Sequence, residues 1–462
     1  MSLTVRLKNI GILKQAEFSL GDLTIICGEN NTGKTYTACA LYGFLQSWRQ
    51  FIRFPISDVQ IQRALTKQVK IELEQATDDM LTEASKKYTK QLDKIFAAAE
   101  GSFQNSEFCV VTDKIDIRDK KFNSLLTNPQ NPAFIFAKGE GSKEAILAAE
   151  IKGEHEREID TDSVKSAIDF IIITDIFSDS FPRPFIASAE RTGISTFRKE
   201  LNFARSQLLK EMERTDPQID LREFLSKAYQ RYPSPIETDV DFMGQLQEVA
   251  KSKSFIAKAH PEILEDFTDI VGGTYAITQN DLLYYIPKGT RLRLTMDQSS
   301  SAVRSLLDLN FYLHCAAEKG DLLMIDEPEL SLHPENQRRI ARLFARLVNL
   351  GVKVFITTHS DYIVKELNTL IMLNHDKPHL KKVAKENGCQ DSELINADQV
   401  KVYVAEKALL PLEEGQKRRK RGHTLLQADI DPEFGIEVGS FDKTIDAMNK
   451  IQRDIVWGAK SD

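Results

Sequence analysis

The chain has 462 residues, with 61 Lys and Arg against 68 Asp and Glu and a formal net charge of −7. That length supports about two to four domains with a substantial core, and the acidic balance argues against wholesale coating of nucleic acid. No signal region and no apolar stretch of about twenty residues occurs, so neither secretion nor membrane spanning is expected.

In chain order, short strands are expected over residues 4–8 and 15–19, followed by the apolar run Leu23-Thr24-Ile25-Ile26-Cys27. Directly after it comes Gly28-Glu29-Asn30-Asn31-Thr32-Gly33-Lys34-Thr35, a complete G-x-x-x-x-G-K-T phosphate loop. Terminal glycines let the backbone turn tightly, so that its N–H groups converge on a pyrophosphate at a helix amino end. Lys34 would reach the β- and γ-phosphates of ATP, and Thr35 would hold Mg²⁺. A helix is expected over residues 36–45, with Leu41, Phe44 and Leu45 on its apolar face.

From residue 48 to 180 the character changes to charged helices, notably 59–99, with a shorter β-like patch at 108–117 and 133–151. No long heptad repeat is present, so an extended coiled coil is not expected. Residues 195–270 read as helical, with Phe197, Leu201, Phe203, Leu208 and Leu209 in amphipathic context and breaks at Pro233, Pro235 and Pro261. Segments 274–278, 283–287 and 291–296 alternate like a small antiparallel sheet, leading to Ser299-Ser300-Ser301 and a helix over 303–317.

A buried strand, Leu322-Leu323-Met324-Ile325, then runs into Asp326-Glu327-Pro328-Glu329. Adjacent acids at the end of an apolar strand suit a Mg²⁺ edge: Asp326 would contact the metal, and Glu327 would take a proton from an attacking water. The next strand, 352–357, ends in Thr358-His359-Ser360-Asp361, placing His359 at the carboxyl edge where open α/β sheets put ligand groups. The tail offers strands at 400–405 and 423–428 and a helix at 442–456. It also carries the basic run Lys417-Arg418-Arg419-Lys420-Arg421, which reads first as a solvated loop but could grip phosphates or an acidic partner. Cys27, Cys39, Cys109, Cys315 and Cys389 form no C-x-x-C pair and no zinc-ligand spacing, consistent with reduced thiols in a cytoplasmic protein.

The order of phosphate loop, Ser-Ser-Ser segment, Ile325-Asp326-Glu327-Pro328-Glu329 with Leu332-His333-Pro334, and Thr358-His359-Ser360 resembles ABC-type ATPases of the SMC, RecF and OLD group. It is most similar to stand-alone ATPase subunits of anti-phage systems such as PARIS and Septu. Leu7-Lys8-Asn9-Ile10-Gly11 resembles that group's opening strand. The similarity covers residues 1–50 and about 270–375 and does not visibly cover 50–180. The resemblance implies an α/β, P-loop ABC-type ATPase head, a mixed sheet with flanking helices, carrying a largely helical insertion domain. It also implies a composite site, in which two heads sandwich two ATP molecules and the serine signature of one touches the γ-phosphate bound by the other. Ser300 and Ser301 match that signature, although Ala302 stands where a glycine is common. Residues 330–333 match the segment that crosses the dimer interface, and His359 matches the switch histidine. Ser188-Ala189-Glu190-Arg191 is similar to a Pro-Ala-Glu-Arg phrase of the anti-phage members, making Arg191 a candidate nucleotide ligand.

The organisation expected is therefore ATPase lobe I over 1–47, insertion over 48–180, a helical ATPase segment over 181–270, lobe II over 271–375, and completing strands and helix over 376–462. Three functional readings follow. The first is an ATP-hydrolysing, self-associating sensor or scaffold that controls a separately encoded effector, a nuclease or toxin, when a phage trigger is sensed. The second is a RecF-like repair ATPase clamping DNA. The third is a nuclease of the Toprim type found in OLD proteins, using Glu413-Glu414-Gly415 and Asp429-Ile430-Asp431, whose short spacing leaves little room for the strand–helix units such a domain needs.

Overall fold

The computed structural model describes residues 3–113, 117–127, 132–150, 160–201, 232–375, 377–411, 419–436 and 448–455. Its strands, in chain order, are β1 (Leu3–Ile10), β2 (Leu13–Ser19), β3 (Leu23–Cys27), β4 (Val69–Glu72), β5 (Glu107–Thr112), β6 (Phe122–Leu126), β7 (Ala133–Lys138), β8 (Glu144–Glu150) and β9 (Pro184–Ala187). There follow β10 (Gly273–Ile277), β11 (Leu283–Pro287), β12 (Leu322–Asp326), β13 (Lys353–Thr358), β14 (Val400–Pro411), β15 (Arg419–Gln427) and the short antiparallel pair β16 (Ile430–Asp431) and β17 (Gly435–Ile436).

Nine of them form one mixed sheet in the order β5-β1-β2-β15-β14-β3-β13-β12-β9. The half containing β3, β13, β12 and β9 is parallel, while β5, β1 and β2 pair antiparallel, as do β14 and β15. Side chains alternate across each strand, so the two faces fill separate cores. Ile26, Met324, Phe355 and Tyr403 point into one core with the helix Lys34–Ser47. Leu23, Ile25, Leu323, Ile325, Val354 and Ile356 point into the other, with the helices Pro334–Asn349 and Asp361–Leu373. Burial on both faces is why β3 and β12 read as continuous apolar runs.

The expected tail strands are both longer than anticipated and complete this sheet, β14 lying parallel against β3. Asp429 and Asp431 directly follow β15, and the Asp431 carboxylate accepts from the backbone N–H of Glu433 and Phe434 at 2.7 and 2.8 Å. A helix runs through 448–455. Glu413, Glu414, Gly415, Lys417 and Arg418 lie outside the described residues, as do Phe203, Leu208, Leu209 and residues 442–447 and 456.

Between residues 48 and 180 there is more β structure than the sequence suggests. The stretch 59–99 is the helices Asp58–Ala64, Glu74–Thr89 and Leu92–Ile95, interrupted by β4. β4, β8, β7 and β6 form a four-stranded sheet, and β5 joins the main sheet beside β1. Packing is continuous across this stretch: Tyr88 donates its hydroxyl to Ala40 O at 2.7 Å, and its ring meets Phe44 and Phe108 in the same core.

Two further expectations change. Residues 291–296 contribute only the bridge Tyr285–Leu294 to the β10–β11 hairpin. The helix expected over 303–317 is broken into Ser301–Ser305, Leu307–Phe311 and a π-helical turn Tyr312–Ala316.

Candidate active site

The phosphate loop leaves the end of β3 through two positions that only glycine suits. Gly28 has φ +140° and Gly33 φ +104°. A Cβ on Gly28 would lie 2.5 Å from Ala405 O, and one on Gly33 2.6 Å from Leu13 Cγ. Gly33 opens the helix Lys34–Ser47 with no side-chain cap, and no acid stands in its first turn. The first N–H groups of that helix are thus left to an anion. Thr32 closes the loop by donating its hydroxyl to Glu29 O at 2.8 Å; Asn30, Asn31 and Thr35 are exposed.

Lys34 is buried, and its ammonium donates to Gly28 O and Glu29 O at 3.0 and 2.7 Å. Burial pushes its pKa below the usual lysine value, and the nearby carboxylates of Glu327, Asp326 and Glu329 push it back. The lysine and the acids, distant in sequence, share one electrostatic environment.

The acids are set by the β12–β13 pair, in which Asp326 is register partner of Thr357. Asp326 is buried and accepts from the Thr357 hydroxyl. Glu327 takes a left-handed backbone, φ +53°, costly for a residue with a Cβ. Its N–H donates to Thr357 O at 3.0 Å. Burial, then repulsion from Asp326, raises the Glu327 carboxyl pKa, with His359 and Lys34 opposing. A carboxylate made more basic in this way is suited to accept a proton.

Glu329 joins the two strand ends: one oxygen accepts the Thr358 hydroxyl and the other the His359 N–H, both at 2.8 Å. The half-exposed His359 ring points its Nδ1 at Glu329 and Glu327, 3.3 and 3.8 Å from their oxygens. Thr357 and Glu329 were given no role by sequence reasoning, although both lie inside the motifs it quoted.

Arg191 requires a correction. Only 2% exposed, it donates Nε to Ser305 O at 2.9 Å, Nη1 to Ser188 O and Asp326 O at 2.7 Å each, and Nη2 to Glu327 O at 2.6 Å. Four of its five N–H groups go to backbone carbonyls, so in this structure the side chain braces the acidic edge where a nucleotide ligand was expected. From the same phrase it is Glu190 that lines, with Thr35, Ser188 and Asp326, a cavity of about 310 Å³.

Ser300 and Ser301 are exposed. Ser300 caps the short helix, its oxygen accepting from Val303 N at 3.3 Å, while Ser299 is buried and bonds Thr295 O. The capping role coexists with access from outside.

A triphosphate with Mg²⁺ fits these residues. The glycine cradle admits no Cβ, and Thr35 and Asp326 line one cavity. Among the described residues no cluster of three or more His, Cys, Asp or Glu could hold a metal by itself. A dication here would take Thr35 and Asp326 as protein ligands and complete its shell from phosphate and water, as Mg²⁺ commonly does. No helix among the described residues is long and apolar enough to cross a membrane.

A glycine-cradled lysine facing strand-end acids across a mixed sheet defines an α/β P-loop ATPase. A family model described as "AAA ATPase domain" matches residues 1–364, and the chain belongs to that family. No curated protein matches. Among solved structures it is similar to an Smc head bound to the C-winged helix domain of ScpA, at 11% identity and TM-score 0.33, covering 93% of this chain and 97% of that one. It is also similar to a Pyrococcus furiosus Smc head bound to the C-terminal domain of ScpA, at 12% identity and TM-score 0.30, covering 98% and 100%. A third is an SMC head domain from Thermotoga maritima, at 10% identity and TM-score 0.28, covering 93% and 100%.

Proposed function

We propose that the chain hydrolyses ATP to ADP and phosphate in a site shared between two copies, and uses that cycle to control a separately encoded effector. The observation that carries the hydrolytic part is the placement of buried Lys34 within the field of Glu327, Asp326 and Glu329. Lys34 and the loop N–H groups hold the β- and γ-phosphates. Thr35 and Asp326 would hold Mg²⁺, which would supply neutralisation of the charge developing on the phosphates. Glu327 takes the proton of the attacking water, and His359, beside it, hydrogen-bonds the γ-phosphate.

Ser300 and Ser301 of one copy reach the γ-phosphate held by the other, so ATP joins two heads and hydrolysis removes the bridge. Turnover is slow and regulatory, and residues 48–180 dock the effector, a nuclease or toxin released on a phage trigger. The motif order and its likeness to anti-phage ATPases support this reading. The RecF-like alternative is disfavoured by the net charge of −7.

The test has two arms. Purified Glu327→Gln should retain ATP, lose turnover and accumulate dimers or larger assemblies; turnover at the wild-type rate would remove Glu327 as base. Capture of the chain from its native host, with mass identification of bound proteins, should return a nuclease or toxin. Recovery without any such partner, or metal-dependent plasmid cutting abolished by Asp429→Ala, would overturn the effector reading.

A further inference from the structure

Three separated stretches of chain meet on one guanidinium. Arg191 joins Ser188 at the end of β9, Ser305 at the end of the helix begun by Ser301, and Asp326 and Glu327 at the end of β12. Carbonyl oxygens accept from four of its five N–H groups but leave its charge unbalanced. That charge is balanced by Asp308 and Asp239, each 1% exposed. Neither Asp308 oxygen has a hydrogen-bond partner, so its influence on the arginine is electrostatic, while Asp239 accepts from Ser188 N at 2.7 Å.

Ser195 ties the same knot from behind. Its hydroxyl lies 2.5 Å from Arg191 O and 3.1 Å from Arg304 O, fixing the arginine's own backbone to the serine-bearing segment.

We propose that Arg191 is a positioning residue for the general base: it holds Glu327 in its left-handed backbone and links that geometry to the segment carrying Ser300 and Ser301. The proposal rests on the reading of Glu327 as base. Glu327 at φ +53° needs a restraint on the peptide on each side of its Cα. Its N–H has Thr357 O, and its C=O has Arg191. Because the same planar fork also binds Ser305, a shift of the serine segment when it meets a second copy's nucleotide moves the base of its own site. The two sites of a pair are thereby coupled through a continuous hydrogen-bonded path. Lysine replaces it only in part: an ammonium is a point charge with three donors and lacks the fork that spans these carbonyls.

The experiment uses the full chain. Arg191→Lys and Arg191→Met are compared with wild type for ATP affinity, kcat and thermal unfolding, alone and combined with Glu327→Gln. The expectation is a kcat at least about tenfold lower, ATP affinity within about threefold of wild type, a partial return in Lys over Met, and no further loss of residual rate in the Glu327→Gln background. Equal losses in affinity and kcat, or additive losses with Glu327→Gln, would overturn it. Should both variants fail to fold, the wild-type chain with Mg²⁺ and a non-hydrolysable ATP analogue decides by structure determination. Arg191 on the carbonyls of Ser305, Asp326 and Glu327 upholds the proposal, and a guanidinium on phosphate refutes it. Wild-type kcat in Arg191→Lys with an inactive Glu327→Gln removes only this inference; an active Glu327→Gln removes the reading beneath it.

Discussion

Thr357 and Asp326 are register partners at the carboxyl ends of neighbouring parallel strands, and the threonine hydroxyl donates to one oxygen of the aspartate. That bond orients the carboxylate, and a metal held as proposed would take its second oxygen. Thr357→Val keeps the shape of a fully buried side chain and deletes the donor. The Mg²⁺ concentration needed for half-maximal ATPase activity should rise about tenfold, the range typical of lost outer-sphere partners. A magnesium titration of turnover reads this, and an unchanged midpoint would mean Asp326 is oriented by something else.

Lys34 is held by its own loop at Gly28 O and Glu29 O, so the ammonium is preorganised at the phosphate cradle. Lys34→Ala should weaken ATP binding by at least about tenfold, in line with the loss of one charge-assisted contact of roughly 1.5–3 kcal/mol. Removing a buried cation whose pKa is depressed by burial should leave thermal stability near wild type. Equilibrium nucleotide binding together with a melting curve separates these effects.

Gly28 cannot accept a side chain: its φ is +140° and a Cβ would meet Ala405 O at 2.5 Å. Gly28→Ala should destabilise the protein by about 1–3 kcal/mol through backbone strain and, by pushing β14 from β3, reduce ATP affinity as well. Denaturant unfolding and nucleotide binding should fall together. A variant as stable as wild type would mean the loop is softer than its contacts imply.

Asp308 and Asp239 give a pH dependence whose sign can be worked out. Burial, then the neighbouring Asp239, raises the Asp308 carboxyl above the usual range, with Arg191 opposing. Burial likewise raises Asp239 to about 7. A group with a raised folded-state pKa contributes stability below its unfolded value and loses it as pH climbs through the folded one. Stability should therefore decline from about pH 4, where the unfolded carboxylates ionise, to about pH 7, where folded Asp239 does. Asp308→Asn removes one carboxyl that must hold a proton on folding, so its melting temperature should match wild type near pH 4 and exceed it by about 2–4 °C near pH 7. A uniform loss at both pH values would contradict this.

The parts of the site that are contiguous in sequence were legible there. The phosphate loop and the acids after Ile325 are each set by a strand ending in a short motif, and their apolar runs announce burial on both faces. What escaped depends on tertiary neighbours. Arg191 reads as a nucleotide ligand because nothing local reveals that β9 lies beside β12. The alternation of Phe108 and Val110 marks a strand, yet its partner β1 lies about a hundred residues away. The expected helix over 303–317 breaks after Ser305, whose carbonyl accepts from Arg191. At Arg291, Leu292 and Arg293 the alternation misled, since all three are exposed.

The central claim is that one triphosphate is gripped by Lys34 of one copy and the serines of another, and mixing two inactive variants tests it most directly. Lys34→Ala lacks the cradle, and Ser301→Arg blocks the exposed signature. In an equimolar mixture of the full-length proteins, each mixed pair contains one complete site, formed by the lysine of one chain and the serines of the other. ATPase activity should therefore reappear on mixing although each protein alone is inactive. A mixture as inactive as its components, despite demonstrated exchange of subunits, would contradict a shared site.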